Sequence, residues 1–194
     1  MEHNILEIIN LSKSYGKFKL SDANITLPRG YIMGFVGANG AGKTTTIKLI
    51  MNMIQRDSGE IKVFNKDNIK YEMQIKDKIG YVGEQPVFYD DLTVDWTGKF
   101  AKKFYSNWDN IIFSRLLDRF KIDKTKKINQ LSKGMKMKTA LAIALSHHPE
   151  FLILDEPTSG LGPIVRDELL EILMEFIQDE QRSVFFSSHI TSDI

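Results

Sequence analysis

The fold is decided by one glycine-rich stretch, Gly37-Ala38-Asn39-Gly40-Ala41-Gly42-Lys43-Thr44-Thr45. It matches the phosphate-binding pattern G-x-x-x-x-G-K-[ST], in which the glycines let backbone N–H groups converge on phosphate oxygens. Lys43 places a positive charge near the terminal phosphates, and the Thr44 hydroxyl is an oxygen ligand of the kind Mg²⁺ prefers. A chance match in a glycine-rich turn is on the order of a one per cent event at average composition. The stretch therefore predicts a site for a phosphorylated ligand with Mg²⁺.

The segments on either side of this loop have the patterns that the motif requires. Tyr31 to Val36 is a short apolar run, which predicts a strand buried on both faces. From Thr44 to Met53 apolar residues recur at helical spacing. A strand, a loop and a helix in this order place the helix N-terminus against the bound phosphates.

The rest of the chain predicts an α/β fold with a largely parallel sheet, an N-terminal antiparallel β portion and a helical insertion. The two earliest strands are expected to be antiparallel and partly exposed, whereas the later strands alternate with helices. Residues 65–77 form a polar, lysine-rich connection. The expected further strands are Ile5 to Leu11, Ala23 to Leu27, Glu60 to Phe64, Lys78 to Val82, Phe151 to Leu154 and Ser183 to Ser187, and the expected helices occupy 93–146 and Pro163 to Gln178.

Length and composition limit the classes of protein that remain. The 194 residues predict a single domain, with a core of about 1–92 and 147–194 and a helical subdomain of about 93–146. With 42% hydrophobic residues, 26% charged residues and no apolar run near ~20 residues, the chain is expected to be water-soluble. A net charge of +1 indicates no general attraction to nucleic acid. The absence of cysteine excludes disulfides and thiolate metal sites.

A second candidate element is the run Phe151-Leu152-Ile153-Leu154-Asp155-Glu156. A buried strand that ends in two acids places both carboxylates at the edge of the sheet where the phosphates are expected. Asp155 is then the natural partner for an Mg²⁺ held by Thr44, and Glu156 could act as the general base on an attacking water. A strand followed by a solvated acidic turn is the alternative, and the phosphate-binding loop makes it the weaker interpretation.

Between these elements lies Leu131-Ser132-Lys133-Gly134-Met135, where Ser132 is expected to cap a helix that runs to Ser146. Taken together with the phosphate-binding loop and the Asp-Glu pair, this segment resembles the L-S-G-G-Q signature of the ABC family. Over almost its whole length the chain is similar to the ATP-binding subunit of an ABC transporter, and most similar to the single-domain type of multidrug and antibiotic exporters.

The resemblance implies ATP and Mg²⁺ as ligands and assigns further residues. Tyr15 matches the aromatic residue that stacks on adenine, and His189 matches the switch histidine at the terminal phosphate. Glu84 aligns with the glutamine that senses Mg²⁺ and the membrane partner, with Gln85 as the alternative. The implied catalytic residues are Lys43, Glu156 and His189, the implied metal ligands are Thr44, Asp155 and Glu84, and the implied nucleotide contacts are Tyr15, Gly37 to Thr45, Ser132, Lys133 and Gly134.

Three residues depart from the family pattern. Lys133 replaces the first signature glycine, Glu84 stands at the glutamine position, and Gly162 stands where an aspartate is usual. A lysine beside Ser132 can still favour a phosphate. A glutamate can ligate Mg²⁺ but lacks the amide donor, and Gly162 removes a carboxylate that helps to couple two ATP sites.

The resemblance also implies partners. Two such domains meet head to tail, so Ser132 and Gly134 would act on the ATP of the other copy, which is a second identical or related chain. Transmembrane permease subunits would hold the protein at the cytoplasmic face of the membrane, near the segment Glu84 to Asp95. The stripe Trp96, Phe100 and Phe104 is a candidate for that contact, although helical aromatic stripes usually pack in a core, which is the interpretation we favour from sequence. Because family members usually continue beyond the switch histidine, the chain is expected to be shortened at its C-terminus.

Two other classes stay open at this point. One is a soluble ABC ATPase without a transport role. The other is a kinase or GTPase with the same phosphate-binding loop; the near match Asn65-Lys66-Asp67 lacks the spacer of a guanine-recognition motif.

Overall fold

The computed structural model describes residues 4–16 and 18–189. In chain order its strands and helices are β1 (Asn4–Tyr15), β2 (Phe18–Pro28), β3 (Ile32–Val36), α1 (Lys43–Ile50), β4 (Ser58–Val63), β5 (Lys66–Asp67), α2 (Glu72–Lys76), β6 (Ile79–Val82), α3 (Val94–Ala101), α4 (Asn110–Arg119), α5 (Lys133–Leu145), β7 (Phe151–Leu154), α6 (Pro163–Phe176) and β8 (Ser183–Ser188), with 3₁₀ turns at Lys102–Phe104 and Ile128–Gln130.

The strands form two four-stranded sheets. One is antiparallel in the order β2-β1-β4-β5, and the other is parallel in the order β3-β8-β7-β6. This arrangement confirms the predicted α/β class with an antiparallel N-terminal portion. β1 and β2, which pair as a hairpin, are both longer than predicted. Their pairing is irregular around Asn10 and Asp22, which have positive φ, and the two strands continue to pair beyond these bulges.

The parallel sheet lies between two hydrophobic clusters. Alternate residues of β7 point to opposite sides, so Phe151 and Ile153 pack toward α1 and the antiparallel sheet, whereas Leu152 and Leu154 pack toward α5 and α6. A strand that is covered on both faces has apolar residues at every position, and the sequence of β7 has this pattern.

β3 departs from the prediction that it is buried on both faces. Its residues are only partly buried, and Val36 is exposed. Within the described residues β3 pairs with β8 alone and lies at the edge of the sheet, so one side of it lacks a covering neighbour. The connection 65–77 also has more structure than predicted, since it contains β5 and α2.

The segment between β6 and β7 is helical, as predicted. Its apolar residues, such as Val94, Phe113 and Leu141, belong to the same cluster as Val184 and Phe186 of the parallel sheet. No helix within residues 4–16 and 18–189 is long and apolar enough to cross a bilayer.

Candidate functional site

The glycine-rich loop joins the carboxyl end of β3 to the first residue of α1, Lys43. Gly40 and Gly42 have φ values of 83° and 97°, a region that glycine occupies without strain. A Cβ atom on Gly42 would lie 2.9 Å from the ring of Phe18, so a side chain here would force that ring to move. The loop therefore curls tightly in front of the α1 N-terminus, where unpaired N–H groups favour an anion.

The loop forms one wall of a cavity of about 370 Å³. It lies at the edge where the parallel strands end, the position that binds ligands in open α/β sheets. Its lining combines five separate parts of the sequence and consists of Phe18, Asn39, Gly40, Gly42, Lys43, Thr44, Thr45, Glu84, Glu156, Ser159 and His189. The structure thus brings together the loop, Glu84, Glu156 and His189, all of which are candidate site residues from the sequence or from the family resemblance.

Lys43, Glu156 and His189 form a chain of polar contacts in this cavity. The Lys43 ammonium donates to the carbonyl oxygens of Gly37 and Ala38 and lies 3.1 Å from Oε1 of Glu156. On the other side, His189 Nδ1 is 2.6 Å from Oε2 of Glu156, and the His189 backbone N–H donates to the same oxygen at 3.2 Å. The Glu156 carboxylate therefore lies between two groups that can carry positive charge.

The environment keeps the Glu156 carboxyl ionised. Burial by itself would raise its pKa, but the hydrogen bonds from His189 and Lys43 outweigh burial and lower the pKa below its ordinary value. An ionised carboxylate beside a phosphate-binding loop has the protonation state that a general base needs.

Asp155 is buried next to Glu156 and faces the start of α1. Its Oδ1 accepts hydrogen bonds from the Thr44 hydroxyl at 3.1 Å and from the Ser187 hydroxyl at 2.7 Å. A carboxylate and a hydroxyl at this separation fit Mg²⁺, which binds oxygen ligands and takes most of them from phosphates and water. Within the described residues no three His, Asp or Glu side chains cluster as a complete protein metal site. The residues present fit a metal that arrives with a phosphorylated ligand.

Other predicted site residues lie outside the cavity. Tyr15 is exposed, and its ring centroid is 6.5 Å from that of Phe18, which is the aromatic residue in the lining. Ser132 caps α5 by accepting the Met135 N–H at 3.2 Å, as predicted. Lys133 Nζ donates to the carbonyl of Ser159 at 2.8 Å, which links the start of α5 to one wall of the cavity. Neither Ser132 nor Gly134 is part of the lining within this chain.

Three residues of the site were missed by sequence reasoning. Phe18 and Ser159 line the cavity, and Ser187 contacts both Asp155 and Glu156. Phe18 lies three residues after Tyr15, so its aromatic side chain near the predicted nucleotide contact could have identified it as a second candidate. Ser187 and Ser159 had no signal, because their role depends on which strand and which turn lie beside the acids.

Comparison with known proteins agrees with this geometry. The profile of the family described as "ABC transporter" matches residues 20–159 of the chain. The chain belongs to the ABC transporter family. The matched range includes both the glycine-rich loop and the two acids that follow β7.

Individual relatives cover nearly the whole chain. It is 37% identical over 193 residues to the bacitracin transport ATP-binding protein BcrA of Bacillus licheniformis, covering 98% of this chain and 63% of that protein. It is 36% identical over 194 residues to the lantibiotic transport ATP-binding protein SrtF of Streptococcus pyogenes, covering 98% and 82%. The chain thus spans less than two thirds of the length of BcrA.

Solved structures of ABC proteins share the fold. The structure of an ATP-binding subunit of an ABC transporter is 29% identical with a TM-score of 0.83, covering 97% of this chain and 80% of that one. CbiO1 from Clostridium perfringens, part of the ABC transporter complex cbiONQ, is 27% identical with a TM-score of 0.80, covering 97% and 80%.

In this ABC domain the aromatic stripe of α3 and the 3₁₀ turn that follows it is not in the core, contrary to the interpretation favoured from sequence. Trp96 and Phe104 are 38% and 66% exposed. The rings of Tyr89, Trp96 and Phe100 contact one another, and Phe104 contacts Phe100. The opposite side of α3, with Val94, Thr97 and Gly98, is the buried one. We call Tyr89, Trp96, Phe100 and Phe104 the aromatic face. The helical spacing correctly predicted that these aromatic residues lie on one side, but it did not predict that this side is exposed.

Proposed function

We propose that this chain binds ATP with Mg²⁺ in the cavity at the glycine-rich loop, hydrolyses the ATP, and so powers an ABC transporter. The observation that supports this best is the convergence of Lys43, Thr44, Glu156 and His189 on one cavity at the start of α1, with the buried Asp155 hydrogen-bonded to Thr44. The Lys43 ammonium, backbone donors and oxygen ligands meet there with an ionised base, and these are the components that phosphoryl transfer to water requires.

Each residue would have a distinct part in the reaction. Lys43 and the N–H groups of the loop would hold the phosphates, replacing the contact between Lys43 and Glu156. Glu156 would accept a proton from the water whose oxygen bonds to the terminal phosphorus as the bond to the ADP oxygen breaks. His189 would keep Glu156 oriented. Mg²⁺, held by Thr44 and Asp155 with Glu84 nearby, would neutralise charge on the phosphates.

We further propose that two copies, or this chain and a related one, close head to tail around ATP. Ser132, Lys133 and Gly134 lie outside the cavity of their own chain, while Ser132 and Lys133 are exposed at the N-terminus of a helix of 13 residues. An exposed capped helix start can approach the phosphates of another copy. Tyr15, exposed beside Phe18, would contact the adenine.

The ATPase and closure proposals are tested together. We expect Glu156→Gln to elute as a dimer from a sizing column with Mg²⁺-ATP and as a monomer without it, because a trapped nucleotide bridges the two copies. Lys43→Ala should bind no ATP, whereas Lys48→Ala, an exposed lysine on the same helix, should bind ATP normally. A monomeric Glu156→Gln protein at saturating ATP contradicts closure, and wild-type turnover no greater than that of Lys43→Ala contradicts hydrolysis.

The aromatic face supports a transport role over a soluble ABC ATPase. Beside it lies a groove of about 720 Å³ whose wall includes Met53, Met73, Phe104 and Tyr105. Phe104 belongs to both the groove and the aromatic face, and Met73 in the groove is 81% exposed. Charged side chains also line the groove, namely Lys76, Asp77 and Lys103. Exposed apolar surface with polar residues around it is of a kind that marks a binding site. We propose that a helix of a transmembrane permease subunit binds here and keeps the protein at the cytoplasmic side of the membrane.

The docking proposal is tested by co-expression with the permease subunits. We expect Trp96→Ser with Phe104→Ser to leave ATPase activity of the free chain within twofold and to abolish co-purification with the permease. Ile111→Ser is the control, since Ile111 is 71% exposed on α4 outside the aromatic face. Equal retention of both variants would show that the permease binds elsewhere.

The relatives named for bacitracin and lantibiotic transport suggest the class of cargo. We propose that the complete transporter exports an antibiotic of this kind. Cells that express it with the wild-type chain should tolerate more bacitracin than cells with Glu156→Gln, and equal tolerance would contradict this assignment of cargo.

A further inference from the structure

The hydroxyl of Ser187 lies between the two acids of the site. It donates to Oδ1 of Asp155 at 2.7 Å and accepts the backbone N–H of Glu156 at 2.9 Å. Ser187 is fully buried, so water does not compete for either hydrogen bond. One side chain from β8 thus contacts a carboxylate and the backbone of the residue that follows it.

The backbone at Glu156 needs such support. Its φ is 48°, the left-handed region that side chains other than those of glycine, asparagine and aspartate rarely adopt. The turn after it is closed by the Ser159 N–H, which donates to the Glu156 carbonyl at 3.1 Å. The Ser187 hydroxyl fixes the other end of the same residue, so Glu156 is held at both its N–H and its carbonyl.

The pairing of the strands explains why a residue of β8 reaches this point. β7 and β8 run parallel, with Leu154 opposite Phe186, and β8 extends two residues further. Ser187 therefore lies beside Asp155, where the chain of β7 leaves the sheet. Asp155 is held on its other side by its own N–H, which donates to the carbonyl of Val82 in β6 at 2.8 Å.

We propose that Ser187 is a positioning residue that sets the direction of both the Asp155 carboxylate and the Glu156 side chain. This inference rests on the proposed function, in which Asp155 binds Mg²⁺ and Glu156 activates water. The Thr44 hydroxyl also contacts Oδ1 of Asp155, but that hydroxyl is itself a candidate metal ligand. Of the two side chains that contact Oδ1 within the part of the chain that the structure describes, Ser187 is the one that does not compete with the metal, so it orients Asp155 in the loaded site.

The test compares three substitutions at Ser187 with one control. Ser187→Ala removes the hydroxyl, Ser187→Cys keeps the approximate shape but hydrogen-bonds weakly, and Ser187→Thr retains the hydroxyl. Ser183→Ala is the control, because Ser183 is a fully buried serine on the same face of β8 whose hydroxyl accepts the Gly30 N–H at 3.0 Å, away from the acids. Turnover and the Mg²⁺ dependence of binding of a fluorescent ATP analogue are measured for each.

We expect Ser187→Ala and Ser187→Cys to lower kcat by about tenfold while KM for ATP stays within about twofold, as the loss of one charge-assisted hydrogen bond predicts. Both should need several times more Mg²⁺ for half-maximal analogue binding, whereas binding without Mg²⁺ stays unchanged. Ser187→Thr should recover most of both losses, and Ser183→Ala should match the wild type.

The inference is overturned if Ser187→Ala and Ser187→Cys keep wild-type kcat and Mg²⁺ dependence, or if Ser183→Ala loses as much as Ser187→Ala. If Ser187→Ala does not fold, the comparison uses Ser187→Cys and Ser187→Thr. A wild-type chain that hydrolyses no ATP would contradict the proposed ATPase activity alone; the Mg²⁺ dependence of analogue binding then decides the role of Ser187 at Asp155.

Discussion

Lys43 Nζ lies 3.1 Å from Oε1 of Glu156, and both side chains are buried. The cation of the glycine-rich loop is therefore paired with the acid at the end of β7 at the place where we propose a phosphate binds. The two residues are 113 positions apart in sequence, so the contact joins two parts of the site that lie far apart along the chain, the glycine-rich loop and the acids after β7.

This pair predicts strong coupling between its members. Removing one partner of a buried ion pair is strongly destabilising, and because Glu156 keeps its contacts with His189 we expect Lys43→Met to lower the free energy of unfolding by about 3 kcal/mol, the low end of the usual range. Lys43→Met with Glu156→Gln should recover most of that loss. Urea unfolding of the four proteins forms a double-mutant cycle, and additive changes would show that the pair contributes nothing to stability.

Glu150 gives a prediction for acid stability. Burial tends to raise its pKa, but hydrogen bonds from Lys78 and Arg29 outweigh burial and lower the pKa below the ordinary 4.5. Because the pKa is lower in the folded state, this carboxylate stabilises the fold above about pH 4.5 and loses that effect as the pH falls through the folded-state pKa.

We therefore expect Glu150→Gln to unfold at lower urea than the wild type at pH 7, with the difference shrinking steadily below pH 4.5. Glu60→Gln, which alters an exposed acid, is the control. A difference that stays constant from pH 7 to pH 3 would contradict the assigned pairing.

Gly98 lies on the buried side of α3, and a Cβ atom there would lie 2.3 Å from the ring of Phe113. Alanine is the better helix former by about 1 kcal/mol, whereas overpacking costs about 1–3 kcal/mol, and a contact this close puts the cost at the upper end. We expect Gly98→Ala to destabilise the protein by about 1–2 kcal/mol. Phe113→Leu should partly restore it in the double variant; a more stable Gly98→Ala protein would mean that the ring moves freely.

Lys133 offers a prediction about nucleotide use. Its ammonium is exposed and donates to the Ser159 carbonyl, so its loss should change stability by less than about 0.5 kcal/mol. Because it is a cation beside the N-terminus of α5, we expect it to contribute more to binding of the ATP phosphates than to stability. We expect Lys133→Ala to raise KM for ATP about threefold, since exposed charge contacts contribute up to about 1 kcal/mol.

The control for Lys133 is Lys136→Ala, which removes a lysine of the same helix that pairs with Asp90. Steady-state ATPase assays of both variants provide the comparison. Unchanged KM in Lys133→Ala, or an equal rise in Lys136→Ala, would remove Lys133 from the nucleotide site.

The sequence predicted what depends on local pattern. The loop from Gly37 to Thr45, the acids after β7 and the cap at Ser132 are short runs whose chemistry and position follow from neighbouring residues. Family resemblance added Glu84 and His189, and the structure places both in the cavity lining.

The rest depends on contacts between distant segments. The exposure of β3 follows from its place at the sheet edge, and Ser187 matters because β8 extends past β7 beside Asp155. The sequence also could not predict that the aromatic face is exposed, because the spacing of Trp96, Phe100 and Phe104 is the same whether the stripe faces the core or the solvent.

The aromatic face has a consequence for the amount of protein a cell can hold. Four contacting rings beside an apolar groove favour any surface that shields them from water, including the same face of another copy. A chain made in excess of its proposed membrane partner would leave this surface uncovered, and at concentrations far above those of a sizing column it would associate with itself, so synthesis matched to that of the partner limits this loss.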